Sequence, residues 1–156
     1  MRRTTSLVLL CPLALCAPDT PITKRAETFE VDRFYAGGLQ QNRNFVMFSI
    51  RPTPGADFAN CTVNTGTGAA VPTIPRRACS DINSITWSLE PMGDGMHFSV
   101  WWAFTGVASL FGERHLPAGD FRVFVMDDGS KSQHYIGEHR FGLNTTTVMK
   151  LPGGGI

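Results

Sequence analysis

The chain has 156 residues, 42% of them hydrophobic and 17% charged, and a formal net charge of +1. That is one domain's length and too apolar for a disordered chain. The basic residues do not gather into the stripe that binding nucleic acid requires; the tight pairs are Arg2-Arg3, Lys24-Arg25 and Arg76-Arg77.

Residues 1–16 read as a signal peptide. Arg2 and Arg3 precede an apolar run from Leu7 to Cys16, which is too short to cross a bilayer as a helix. Ala14-Leu15-Cys16 places small residues where a signal peptidase needs them. Residues 17–25 then form a linker with two prolines that ends at Lys24-Arg25, a dibasic pair of the kind processing proteases cut. The secreted domain is expected to be 26–156, ending in the flexible tail LPGGGI. Processing there leaves ten basic against twelve acidic residues, so the domain turns slightly acidic. It also removes Cys11 and Cys16. Cys61 and Cys79 remain as an even pair in an oxidising compartment and are predicted to bond. The bridge closes a loop of about 19 residues, worth roughly 3 kcal/mol.

From Phe29 onward the pattern is of short strands. Phe29 and Val31 alternate and Phe34 falls out of phase, which signals a bulge. FVMFSIR, from Phe45 to Arg51, is apolar on both faces and reads as a strand covered on both sides. Residues 52–83, rich in proline, read as irregular and pinned by the bridge. SITWSLE and MHFSVWWAF alternate around a turn at Gly93-Asp94-Gly95, and FRVFVM turns at Asp127-Asp128-Gly129 into SQHYIG. VASLF reads as a strand or one helical turn, HRFGLN as a last strand, and TTVMKL as a further one. The expectation is an all-β, single-domain antiparallel β-sandwich or β-barrel with one disulfide.

No nucleophile elbow, phosphate-binding loop or HExxH occurs. Glu113-Arg114-His115, Glu138-His139 and His134 bring acid and imidazole near one another. Glu113 and His115 share a face if they lie on a strand, so the set is a candidate for metal or acid–base chemistry, against the plainer reading of solvated edges and turns. In MHFSVWWAF, Trp102 joins the face of Phe98 and Val100. Trp101 joins His97, Ser99 and Ala103 on the other face. It is therefore either packed under a neighbour or exposed beside His97 as a stacking surface. Two sequons, Asn60-Cys61-Thr62 and Asn144-Thr145-Thr146, are candidate glycosylation sites. Asn144 is the better of the two, since bond formation at Cys61 competes with modification of Asn60.

The leader, the dibasic site, FEVDRFYA, the FSI strand leading to Cys61, the proline-rich loop to Cys79 and the WSL strand follow one another in a set layout. It resembles the AA1-like group of small secreted fungal proteins, named for the major Alternaria allergen. The group's Phe-x-Val-x-x-Phe-x-Ala opening is matched by Phe29, Val31, Phe34 and Ala36, and its Cys-to-Cys loop by Cys61 and Cys79. The resemblance implies a β-sandwich or β-barrel, secretion and no established catalytic activity, some members acting as allergens or as elicitors of plant defence. This chain departs in having one cysteine pair where the allergen has more, and in Trp101-Trp102. No catalytic residues carry over.

The expected function is thus a secreted, extracellular, non-enzymatic interaction protein, a host-directed effector or elicitor whose partner is a host protein or glycan. The alternative is a carbohydrate- or small-ligand-binding module using Trp101 and His97. Neither cofactor nor metal is expected, nor nucleic acid or a membrane span as partner. Enzymatic activity stays open, with the weight against it, and the sequence sets no oligomeric state.

Overall fold

A computed structural model describes residues 28–39 and 43–149. The leader, the Lys24-Arg25 pair and the LPGGGI tail lie outside the described residues. Ten strands run in chain order: β1 (Thr28–Leu39), β2 (Arg43–Arg51), β3 (Ala59–Thr67), β4 (Ile74–Ala78), β5 (Ile85–Met92), β6 (Gly95–Ala103), β7 (Ala108–Leu116), β8 (Phe121–Val125), β9 (Lys131–Tyr135) and β10 (Phe141–Met149). All pairings are antiparallel, in the order β3-β2-β1-β10-β7-β6-β5-β4, and β9 joins β1 to β8. The sheet curls into a nearly closed barrel. Of the two architectures the alternation allowed, the chain takes the barrel.

β1 carries the bulge its phase break announced. Asp32 pairs with Ser49 but Tyr35 with Met47, so Arg33 and Phe34 of β1 together oppose Phe48 of β2. Arg33 absorbs the extra residue at φ 54°, a conformation uncommon outside glycine. The shift lets both Val31 and Phe34 face inward. It is also where β1 changes partner: Thr28–Val31 pair with β10, and Gly37–Leu39 with β9. β10 changes partner too, from β1 to β7 at Thr145. HRFGLN and TTVMKL, which look like two strands in sequence, are largely this one strand serving two neighbours.

The core is aromatic. Phe34 lies 5.0 to 5.9 Å from the rings of Phe98, Tyr135, Phe141 and Phe48, and Trp87 meets Phe48 edge-on at 5.0 Å. Such edge and tilted contacts add to what burial alone contributes. Burial, reinforced by the Asp120 carboxylate, pushes the Tyr135 phenol above its ordinary value of 10.0.

Two sequence expectations need correcting, and one open choice is resolved. Residues 52–83 are not simply irregular, because β3 and β4 lie within them. Ala59, Cys61 and Val63 alternate inward along β3, and β4 tolerates Pro75 because it is an edge strand. FVMFSIR is not covered on both sides: Met47 faces out and is exposed. VASLF is a strand, β7, and not a helical turn.

The two terminal strands of the order, β3 and β4, are stapled by the disulfide between Cys61 and Cys79. Polar groups complete this seam. Ser80 N–H donates to the Asn60 carbonyl at 3.0 Å, Thr62 N–H donates to Ser80 Oγ at 3.0 Å, and Asn60 N–H donates to the Asp81 carboxylate at 2.9 Å. The outward backbone groups of β3 at Asn60 and Thr62 are thereby satisfied.

Candidate recognition surfaces

Two outward surfaces carry the residues of interest. The first crosses β4 to β10. The β5–β6 hairpin turns at Gly93, whose φ of 60° is the requirement glycine meets at the first central position of such a turn. That turn sets the register Thr86–Trp101–Phe111–Thr146 across β5, β6, β7 and β10. Trp101 is half-buried. The Arg76 guanidinium sits 4.2 Å above its ring and donates to Thr86 Oγ1 at 3.0 Å. Phe111 flanks the indole at 5.1 Å. Trp101 therefore packs beneath a neighbouring cation, and Trp102 packs against the core. His97 lies further along the same face. Its Nε2 bonds Glu113 Oε2 at 2.9 Å, leaving Nδ1 buried without a hydrogen-bond partner among the described residues.

The other acid and imidazole side chains do not converge. Glu113 and His115 do share a face, but His115 turns to Asp94 at 3.3 Å while Glu113 takes His97. Glu138 accepts from Arg114 at 3.0 Å, and Arg114 stacks over Phe141 at 4.4 Å. His139 bonds the Phe34 carbonyl through Nδ1 at 2.7 Å and lies 4.6 Å from the Tyr35 ring. His134 joins an aromatic row, 6.5 Å from Phe45 and 5.8 Å from Phe124. The row passes over Gly37, where any side chain would meet His134 and Phe45 at 2.8 Å. Among the described residues no group of three His, Cys, Asp or Glu side chains could hold a metal ion.

The sequons sit in contrasting places. Asn60 is built into the seam: its Nδ2 donates to Asp81 at 3.1 Å and its Oδ1 accepts from Ser49 Oγ at 3.0 Å. Asn144 stands exposed on β10 beside the first surface.

The second surface was not singled out in sequence as a site. Among the described residues β8 pairs only with β9. Val123, Phe124, Val125 and Met126 are 54%, 41%, 66% and 48% exposed, so both faces of the strand are apolar and open. Phe121, at the start, still packs against the core and Tyr135. Arg122 and Asp127 bracket the strip, and neither forms an ion pair among the described residues. Two exposed residues in the turn, Asp128 and Gly129, shape it: Ser130 N–H donates to Asp128 Oδ1 at 2.9 Å, and Gly129 holds φ 78°. No helix among the described residues is long and apolar enough to cross a membrane.

No family model matches the chain, and no curated protein does. Two solved structures of the Alternaria alternata major allergen Alt a 1 do match in shape. One aligns at a TM-score of 0.56 and 12% identity, covering 80% of this chain and 97% of the allergen. The other aligns at 0.56 and 10%, covering 85% and 97%. The fold is therefore similar to that of the allergen, as the sequence layout led one to expect.

Proposed function

We propose that the chain is a secreted, non-enzymatic recognition protein that engages a host protein through the open edge of β8. The observation that carries this reading is the exposure of three consecutive large apolar side chains, Val123 to Val125, on a strand with a single neighbour among the described residues, followed at once by exposed Met126. Folded proteins normally blunt such an edge with charge, proline or a covering element. Left bare, it accepts an added strand, whose backbone bonds give affinity and whose alternate side chains give specificity. Arg122, without an ion pair of its own, matches an acidic residue on that strand. The occupant is thus an extended host segment, apolar at alternate positions and carrying one carboxylate. The leader and the bridge fit an extracellular setting, and the likeness to the AA1-like group supports a role at a host.

The test compares purified wild-type protein with Val123→Lys/Val125→Lys and Trp101→Ala. The readouts are binding to proteins washed from leaf intercellular space and the oxidative burst of leaf tissue. The β8 variant is expected to lose both, and Trp101→Ala to keep both. A β8 variant as active as wild type sinks the assignment of β8.

A further inference from the structure

We infer that Asn144 carries an N-linked glycan, that Asn60 does not, and that the first sugars of the Asn144 glycan pack on Phe111 and the open edge of Trp101. This inference takes up the secretory setting of the proposal above but uses a different surface, so its failure leaves the β8 reading standing, and the reverse.

The two sequons differ in what their amides already do. Asn60 Nδ2 donates to Asp81, its Oδ1 accepts from Ser49, and its backbone N–H is also held by Asp81. The next residue is locked in the Cys61–Cys79 bridge. A sugar on Nδ2 has to enter the place where β3 meets the chain beyond β4, and it displaces the hydrogen bonds that close the seam. Asn144 is free of such duties. It is exposed, as is the sequon threonine Thr146, and its side chain makes no hydrogen bond among the described residues.

Register then decides where the glycan lies. Thr146 pairs with Phe111 and Phe111 with Trp101. Asn144 is two residues from Thr146 on the same face, which makes it the diagonal neighbour of Phe111, within reach of a side chain and of anything attached to it. Sugar rings present flat C–H faces that suit an aromatic ring with one apolar and one wet side. Arg76 occupies a face of Trp101, so the open aromatic area is small. It suits one or two rings held in place better than a free oligosaccharide. Covalent attachment supplies that hold: a short tether sets an effective concentration near the millimolar range, enough to populate a contact too weak to capture the same sugar from solution. A glycan packed there also covers the row Phe111–Trp101, which otherwise stands half-open on the barrel wall.

The experiment uses the full chain secreted from a yeast or insect-cell host. Enzymatic deglycosylation in heavy-oxygen water converts each occupied asparagine to a mass-tagged aspartate. Peptide mass spectrometry is expected to tag Asn144 and leave Asn60 untagged. A tag on Asn60, or none on Asn144, overturns the assignment. For the packing, deglycosylation is expected to lower Tm by about 3 °C in the wild type and to shift tryptophan emission to the red. In Phe111→Thr, a substitution that keeps a good strand residue, the same treatment is expected to change Tm by under about 1 °C. An equal fall in both proteins overturns the packing. Should Phe111→Thr fail to be secreted, nuclear Overhauser effects between the first sugar and the Phe111 ring of the wild-type glycoprotein decide. Their presence supports the contact and their absence overturns it.

Discussion

The barrel has two kinds of edge. At the seam, β3 and β4 are joined by a covalent bond, and Ser80 and Asp81 satisfy the outward backbone of β3. At β8, Val123, Phe124 and Val125 face water along a strand with one neighbour among the described residues. Edges are hazardous because an unpaired row of N–H and C=O groups templates further pairing. The same chain places a disulfide and a surface hydrogen-bond network on one edge and leaves the other without either among the described residues. An edge that is sealed needs no partner; an edge that is apolar and unsealed is stable in water only at low occupancy of wrong partners, and is therefore where recognition is to be sought.

The sharpest way to break the contrast is to open the sealed edge. Cys61→Ser/Cys79→Ser is expected to cost about 3 kcal/mol, a fall in Tm on the order of 10 °C by calorimetry, and to make the protein prone to aggregate from a second site. If the double variant melts with the wild type, the bridge is not what holds the seam. Next in size is Asp81→Ala. It strips the carboxylate that Asn60 uses through both backbone and side chain, at a cost of roughly 1–2 kcal/mol. Hydrogen exchange should then accelerate at Asn60 and Thr62 while β8 amides are unchanged.

Tyr135 anchors β9, and so the hairpin that carries β8, to the core. Its phenol is pushed above 10.0, so the folded chain keeps this proton where the unfolded chain releases it. The stabilisation is complete below pH 10.0 and is lost as pH rises beyond it. Tyr135→Phe is expected to flatten the alkaline limb of a stability–pH curve; an unaltered limb means the group does not report on folding. The smallest effect on stability belongs to Val123→Lys/Val125→Lys, within about 0.5 kcal/mol of wild type as expected of exposed positions, although its effect on recognition is expected to be the largest of all.

Much of this architecture is legible in the sequence because it is local. The alternation of Ile85, Trp87 and Leu89, the Gly93-Asp94-Gly95 turn and the phase break at Phe34 are short-range signals, and each reappears as β5, its hairpin and the Arg33 bulge. β3 and β4 were hidden because their strand character comes from the seam. Ala59, Cys61 and Val63 are small or moderate side chains among polar ones, and β4 contains Pro75 and two arginines with little strand preference. The sites were less legible than the fold. Glu113 and His115 share a face as their spacing requires, but their partners, His97 and Asp94, come from another strand and a turn. The spacing said nothing about those. Likewise FRVFVM has the alternation of a core strand. Only the three-dimensional order, with no described strand beyond β8, turns that alternation into an exposed surface.

The most direct test of the two-edge account is the affinity of labelled protein for host extracellular proteins, measured side by side for wild type and Val123→Lys/Val125→Lys at matched circular dichroism and Tm. The account predicts at least a tenfold weakening in the variant. Equal affinity of the two proteins contradicts it.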